Sequence, residues 1–114
     1  VISAYGAGGF RFADMSHRGS LLVLPSGIQA IEARDIADVT ETLLKPLFDL
    51  PKGLVSFLLI GTGAKSEPVP HNLRQLMQGQ GINLEAMATG HAIATYNIMM
   101  EEHRSVGALL LASA

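Results

Sequence analysis

Two short glycine-bearing turns, Gly61-Thr62-Gly63 and Ala88-Thr89-Gly90, are the segments of this 114-residue sequence best suited to hold a small ligand. Each follows an apolar run of strand length. Open α/β sheets bind anions where such runs end and helices begin, because backbone N–H groups are free there. Thr89 also opens a long helical pattern, so its hydroxyl is expected to cap the first free amides. If the two apolar runs are parallel neighbours, both turns share one rim of the sheet and border a crevice. The candidate ligand-binding residues are then Gly61, Thr62, Gly63 and Thr89, with Tyr96 and Asn97 further along the helix, and the ligand class is an anionic metabolite. The specific nucleotide motifs are not met. The dinucleotide pattern wants a third small residue near Ser66 and an immediate helix, and Glu67-Pro68-Val69-Pro70 intervenes. The Walker pattern wants glycine before its lysine, and Ala64 precedes Lys65-Ser66. The plainer reading of Gly61 and Gly63 is that they supply unusual backbone dihedrals in a turn.

Other catalytic templates fail in turn. Cysteine is absent, which removes thiolate nucleophiles, thiolate metal sites and disulfides together. No two of His17, His71, His91 and His103 stand four apart, the spacing that puts two ligands on one helical turn. His91 and His103 would lie roughly 18 Å apart along one helix, too far for a shared ion. Ser20, Ser26 and Ser66 sit in turns without the Gly-x-Ser-x-Gly surroundings of an esterase nucleophile. The carboxylates are scattered and form no recognisable acid and base pair. Neither a catalytic residue nor a metal site is assigned, no cofactor is expected, and the chain reads as more a binding domain than an enzyme.

Composition limits the partners. Hydrophobic residues make up 48% and charged residues 16%, enough buriable surface to fold without disulfides. The absence of tryptophan leaves the core to Leu, Ile, Val, Ala and Met. Charge is spread evenly: residues 1–53 carry five basic and six acidic side chains, and residues 54–114 three and four. Without a basic tract to neutralise a row of phosphates, nucleic acid is not an expected partner. The longest apolar run, Leu54 to Ile60, falls far short of the roughly 18 residues of a membrane-spanning helix. The sequence opens on Val1, so the natural start is expected upstream.

The elements that must carry these residues read as one α/β domain over 1–114. Val1 to Tyr5, Phe10 to Phe12, Leu21 to Leu24 and Ile28 to Glu32 are short strands. They are separated by Gly6-Ala7-Gly8-Gly9, His17-Arg18-Gly19-Ser20 and Pro25-Ser26-Gly27, which gives an N-terminal β-meander. Leu43, Leu44, Leu47 and Phe48 recur at helical spacing after Asp38 or Thr40 as cap, and Pro46 keeps that helix short or kinked. From Leu54 the pattern is strand, helix (Pro70 to Gln78), strand (Ile82 to Met87), helix (Thr89 to His103) and strand (Ser105 to Ala112). The last helix carries a stripe of Ala92, Tyr96, Met99 and His103. Such β-α-β-α-β crossovers place the strands side by side in parallel. On the outside of the last helix, Asn97, Glu101 and Arg104 share a face. Asn97 is a poor mid-helix residue, which suits a specific hydrogen bond.

At that helix the residues become familiar. Thr89-Gly90-His91-Ala92-Ile93-Ala94-Thr95-Tyr96-Asn97, followed by Glu102-His103-Arg104, resembles a small domain family of largely unassigned function. Its members include a mitochondrial respiratory complex I assembly factor and an adipogenesis-associated protein. The likeness extends through Tyr5-Gly6-Ala7-Gly8-Gly9-Phe10-Arg11-Phe12, Gly19-Ser20-Leu21-Leu22 with Pro25, and Ile60-Gly61-Thr62-Gly63, in the same order over nearly the whole chain. The resemblance implies a single three-layer α/β domain around a central mixed sheet, without established enzymatic activity, with protein partners, and a bacterial cytoplasmic or mitochondrial-matrix-like setting. Two positions depart from the family pattern. Ala94 stands near the Thr-Tyr-Asn stretch where a basic residue is common, and Ile28-Gln29-Ala30-Ile31 follows a turn after which an aromatic is common.

The resulting expectation is a non-catalytic protein-interaction or assembly-factor-like domain, linked to assembly of a membrane-associated complex. The alternative is a small-molecule binder or enzyme using the crevice at the C-terminal strand ends. Self-association is a third reading, since the chain is apolar for its size.

Overall fold

Three strands whose side chains are buried on both faces organise the molecule. The computed structural model describes residues 2–6 and 8–112, so Val1 and Ala7 of the expected first strand and turn lie outside the described residues. Strands β4 (Ser20–Leu24) and β8 (Val106–Leu110) are buried throughout, and β6 (Phe57–Gly61) nearly so. They form the middle of a five-stranded sheet flanked by β5 (Gly27–Ile31) and β7 (Asn83–Met87), in the order β5-β4-β8-β6-β7. Strand β6 runs parallel to β7 and β8, whereas β4 runs antiparallel to β8 and β5, so the sheet is mixed. Strands covered on both faces read as continuous apolar runs, which is why β4, β6 and β8 were conspicuous in sequence.

Side chains two apart share a face, and this divides the core. Leu22, Leu24, Leu58, Ile60 and Leu109 point to one side. There they meet Leu47 of α1 (Lys45–Phe48) and Leu73 and Met77 of α2 (His71–Gly79). Leu21, Val23, Leu59, Ala108 and Leu110 point to the other side. There they meet Ala92, Ile93, Tyr96 and Met99 of α3 (Thr89–Glu101). A separate antiparallel meander of β1 (Ile2–Gly6), β2 (Gly9–Phe12) and β3 (Met15–Arg18) joins the α3 layer through Ile2 and Phe10. The three-layer α/β architecture is the expected one.

Four local details differ from the sequence reading, each for a tertiary or conformational reason. Strand β3 takes in His17 and Arg18, read as turn, together with Met15 and Ser16, which the sequence reading assigns to no element. The two-residue connection before it, Ala13 and Asp14, takes positive φ of 47° and 60° without any glycine to announce it. Leu54, read as the start of β6, is 43% exposed and belongs to a turn whose amide bonds Pro51. Helix α1 is short, as Pro46 requires, but Leu44 and neither Asp38 nor Thr40 takes its cap position, so Pro46 falls in the first turn, where the missing N–H would have had no partner anyway. His103 leaves the α3 stripe. It adopts φ 56° while its amide bonds Met100 and that of Arg104 bonds Met99, a left-handed helix end with reversed-register bonds.

Candidate functional site

Because β6, β7 and β8 are parallel, with Gly61 beside both Met87 and Leu110, their C-terminal ends share one rim. Gly61, Thr62, Gly63 and Thr89 therefore come together, as the strand reading required. Their polar groups bond mainly to one another and to the strand ends. The Thr62 amide donates to the Met87 carbonyl at 2.9 Å and the Thr89 amide to the Gly63 carbonyl at 2.8 Å. The Gly63 amide donates to Thr89 Oγ1 at 2.8 Å, and that hydroxyl donates to the Leu111 carbonyl at 2.7 Å. The Leu111 amide completes the set at 2.9 Å to the Gly61 carbonyl. Thr62 Oγ1 donates to the Lys65 carbonyl at 2.6 Å and accepts from the Glu67 amide at 3.1 Å, folding the loop after β6 back on itself.

Thr89 is thus not the helix cap that sequence suggested. Ala88 occupies the cap position without a side-chain bond, and Thr89 is the first helical residue, 0% exposed. Its hydroxyl was drawn away from the helix amides because the ends of β6 and β8 present a donor and an acceptor across the rim. The two turn glycines also separate in role. Gly63 has φ +98°, a backbone conformation that favours glycine. Gly61 has no such requirement; a Cβ there would sit 2.8 Å from Thr89 Cα, so glycine is needed for close approach of strand and helix.

Tyr96 and Asn97 do not join this group. Thr89 and Tyr96 are seven residues apart on α3, roughly 10 Å along its axis. Tyr96 packs in the core with Leu59, Val106 and Ala108. Asn97 holds the meander: its Nδ2 donates to the Ile2 carbonyl at 2.9 Å and its Oδ1 accepts the Ile2 amide at 3.2 Å. The specific bond expected of a mid-helix asparagine is therefore present. Arg104 pairs with Glu102 at 3.8 Å, both more than half exposed, an arrangement of little energetic weight.

Burial pushes the Tyr96 phenol above its ordinary range. A raised folded value means stability is intact below the unfolded tyrosine pKa and declines as pH rises through the folded one. Above about pH 10, denaturant midpoints of the native chain should fall more steeply with pH than those of Tyr96→Phe.

Ser20 is the rim residue that sequence reading left in a turn. It is buried, donates to the Ala33 carbonyl at 2.7 Å and accepts the Ala112 amide at 2.9 Å. The available signal was a lone hydroxyl at the head of an otherwise apolar strand. Ser20 and Thr89 together pin the exit of β8 from opposite sides. Beyond Ser20 opens a cleft of ≈ 1050 Å³, where Arg18 and Arg34 are matched by Glu32 and Asp38. Backbone amides of Arg34 and Asp35 hold the Asp38 carboxyl below its usual range. That carboxylate closes a capping box around the 3₁₀ turn Ile36–Asp38, a structural use. A second open cleft, of ≈ 500 Å³, lies on the meander between Arg11 and Arg18 over Gly6, Gly9 and Ser16. Among the described residues no three His, Cys, Asp or Glu side chains are placed to hold a metal ion, and no helix is long and apolar enough to cross a membrane.

A family model described as a protein of unknown function (DUF498/DUF598) matches residues 2–111. An uncharacterized protein of Rhodobacter capsulatus is 34% identical over 110 residues, covering 96% of this chain and 82% of its own. The Mus musculus NADH dehydrogenase [ubiquinone] 1 alpha subcomplex assembly factor 3 is 29% identical over 96% of this chain, which spans 59% of that protein. Among solved structures, one described as an outer membrane protein from Bartonella henselae superimposes with a TM-score of 0.91. It is 42% identical, over 99% of this chain and 94% of that one.

Proposed function

The chain belongs to this DUF498/DUF598 family, and from that premise we propose that it acts by holding other proteins, in the manner of an assembly factor, and not by catalysis. The observation that carries the reading is the outer surface of α3. A surface helix ordinarily turns an apolar stripe inward and a polar face outward. Here Ala92, Ile93, Tyr96 and Met99 face the core, while Ile98 is 57% exposed on the outside, one turn from the exposed Ala94, and Met100 is 38% exposed on the flank. The Ala94 and Ile98 pair, one turn apart on the outer face, gives a small apolar patch that contact with another protein would cover. The rim supports the same side of the choice, since the buried hydroxyls there serve the fold and a ligand would have to break their bonds. The assembly-factor names carried by relatives add the finer proposal that the partner is a subunit or intermediate of a membrane-associated respiratory complex.

An affinity-tagged chain and its Ile98→Asp variant, expressed in the source cells and crosslinked before extraction, test this. The native chain should capture defined subunits of such a complex, and the variant should lose them at least tenfold while keeping its thermal midpoint. Equal capture by the variant, or none by either, would sink the proposal.

A further inference from the structure

We propose that the free edge of β5 pairs with β5 of a second copy of this chain, antiparallel and centred on Gln29, so that the two five-stranded sheets become one across a twofold axis. An open strand edge presents unpaired N–H and C=O groups, and folded proteins block such edges with charge, proline, bulges or cover. The other edges among the described residues are blocked in these ways. Strand β1 is tied to α3 by both backbone bonds of Ile2 to Asn97. Strand β3 carries exposed Arg18. Strand β7 carries exposed Glu85. Strand β5 has none of this. Gly27-Ile28-Gln29-Ala30-Ile31 is uncharged and free of proline, its register with β4 is regular over five pairs, and all but Ile31 are exposed.

The strand fits its own copy. Antiparallel pairing about Gln29 sets Ile28 opposite Ala30 twice and Gly27 opposite Ile31 twice. Glutamine at the centre faces glutamine, whose amide both donates and accepts. The nearest charge, Glu32, then falls opposite Ser26, whereas parallel pairing would set Glu32 against Glu32, a destabilising like-charge pair. Ile28 and Ala30 lie on the sheet face of Val23 and Leu21 but outside the cluster beneath α3. Pairing would draw the four residues of two copies into one apolar strip. A charged foreign strand would find no complementary charge here. The residues involved are distinct from the α3 surface, so this inference and the partner reading stand or fall separately. One strand per side is smaller than the ~800 Å² per partner of a standard interface, so the dimer should exchange with monomer at micromolar concentration.

Sedimentation equilibrium of the native chain at low salt, from low micromolar to millimolar concentration, should show the mass rising from one chain to two. Because Gln29 meets its own copy, Gln29→Lys and Gln29→Glu should each weaken dimerisation at least tenfold, and an equimolar mixture should recover it. A native chain that stays monomeric throughout would overturn the proposal, and that measurement needs no variant to fold. Single variants that associate like the native chain, or a mixture no tighter than either alone, would overturn it equally.

Discussion

Replacing Gly61 with valine should cost about 3 kcal/mol or more of stability, because the first turn of α3 occupies the space a side chain there would need. A Cβ at this position meets Thr89 Cα and Oγ1 at 2.8 Å each. The nearest atom is helix backbone, which cannot swing aside as a flexible side-chain end can. The helix start is itself fixed by bonds between Thr89 and Gly63 in both directions. Relief would require moving α3 away from β6 and opening the cluster that contains Ala92, Ile93 and Tyr96. Thermal unfolding of Gly61→Ala and Gly61→Val should show a graded loss, alanine costing about 1–3 kcal/mol and valine more. Native-like melting of both would refute this account. At Gly63 a side chain finds open space, so Gly63→Ala should register only backbone strain from φ +98°.

Thr89→Val should cost roughly 2–4 kcal/mol with almost no change in shape, since it exchanges the hydroxyl for a methyl. The hydroxyl both accepts from the Gly63 amide and donates to the Leu111 carbonyl, at a residue with no solvent exposure. Removing it strands one donor and one acceptor, and each unsatisfied buried group costs about 1–3 kcal/mol. Thr89→Ser retains both bonds and loses only a methyl, so it should stay within about 1 kcal/mol of the native chain. The contrast separates hydrogen bonding from packing. If valine and serine variants melted together, the hydroxyl would not be what joins the ends of β6 and β8 to α3. Amide exchange gives a local check: Gly63 should lose protection in the valine variant before the middle of β6 does.

These two residues bear on function through what they leave unavailable. A crevice at the end of a parallel sheet is an attractive ligand site when its amides are free. On this rim the amides of Thr62, Gly63, Thr89 and Leu111 are all engaged within the chain. The surfaces left over are the outside of α3, where Ala94 and Ile98 sit among polar and charged side chains, and the edge of β5, which is uncharged. That balance is what supports our proposal of protein contacts over metabolite chemistry.

How much was legible beforehand depended on whether the signal was local. The continuous apolar run Leu21 to Leu24, the apolar run ending at Gly61 and the helical spacing of Ala92, Tyr96 and Met99 each follow from one element burying its own surface. The layered α/β arrangement and the gathering of the glycine turns on one rim could therefore be read from the chain. Strand β3 was not, because its entry turn uses Ala13 and Asp14 where glycine or asparagine normally signals positive φ. The use of the Thr89 hydroxyl lay out of reach for a different reason. Its partners stand 26 and 22 residues away, at the ends of two other strands. The same holds for Asn97, whose partner is 95 residues distant, and for Ser20, which bonds an amide 92 residues away. Sequence by itself determined which segments are buried and of what type, since hydrophobic period is a property of a single segment. Only the tertiary structure decided which hydroxyl meets which carbonyl and which strand edge stays open, since those outcomes depend on where distant segments come to rest against each other.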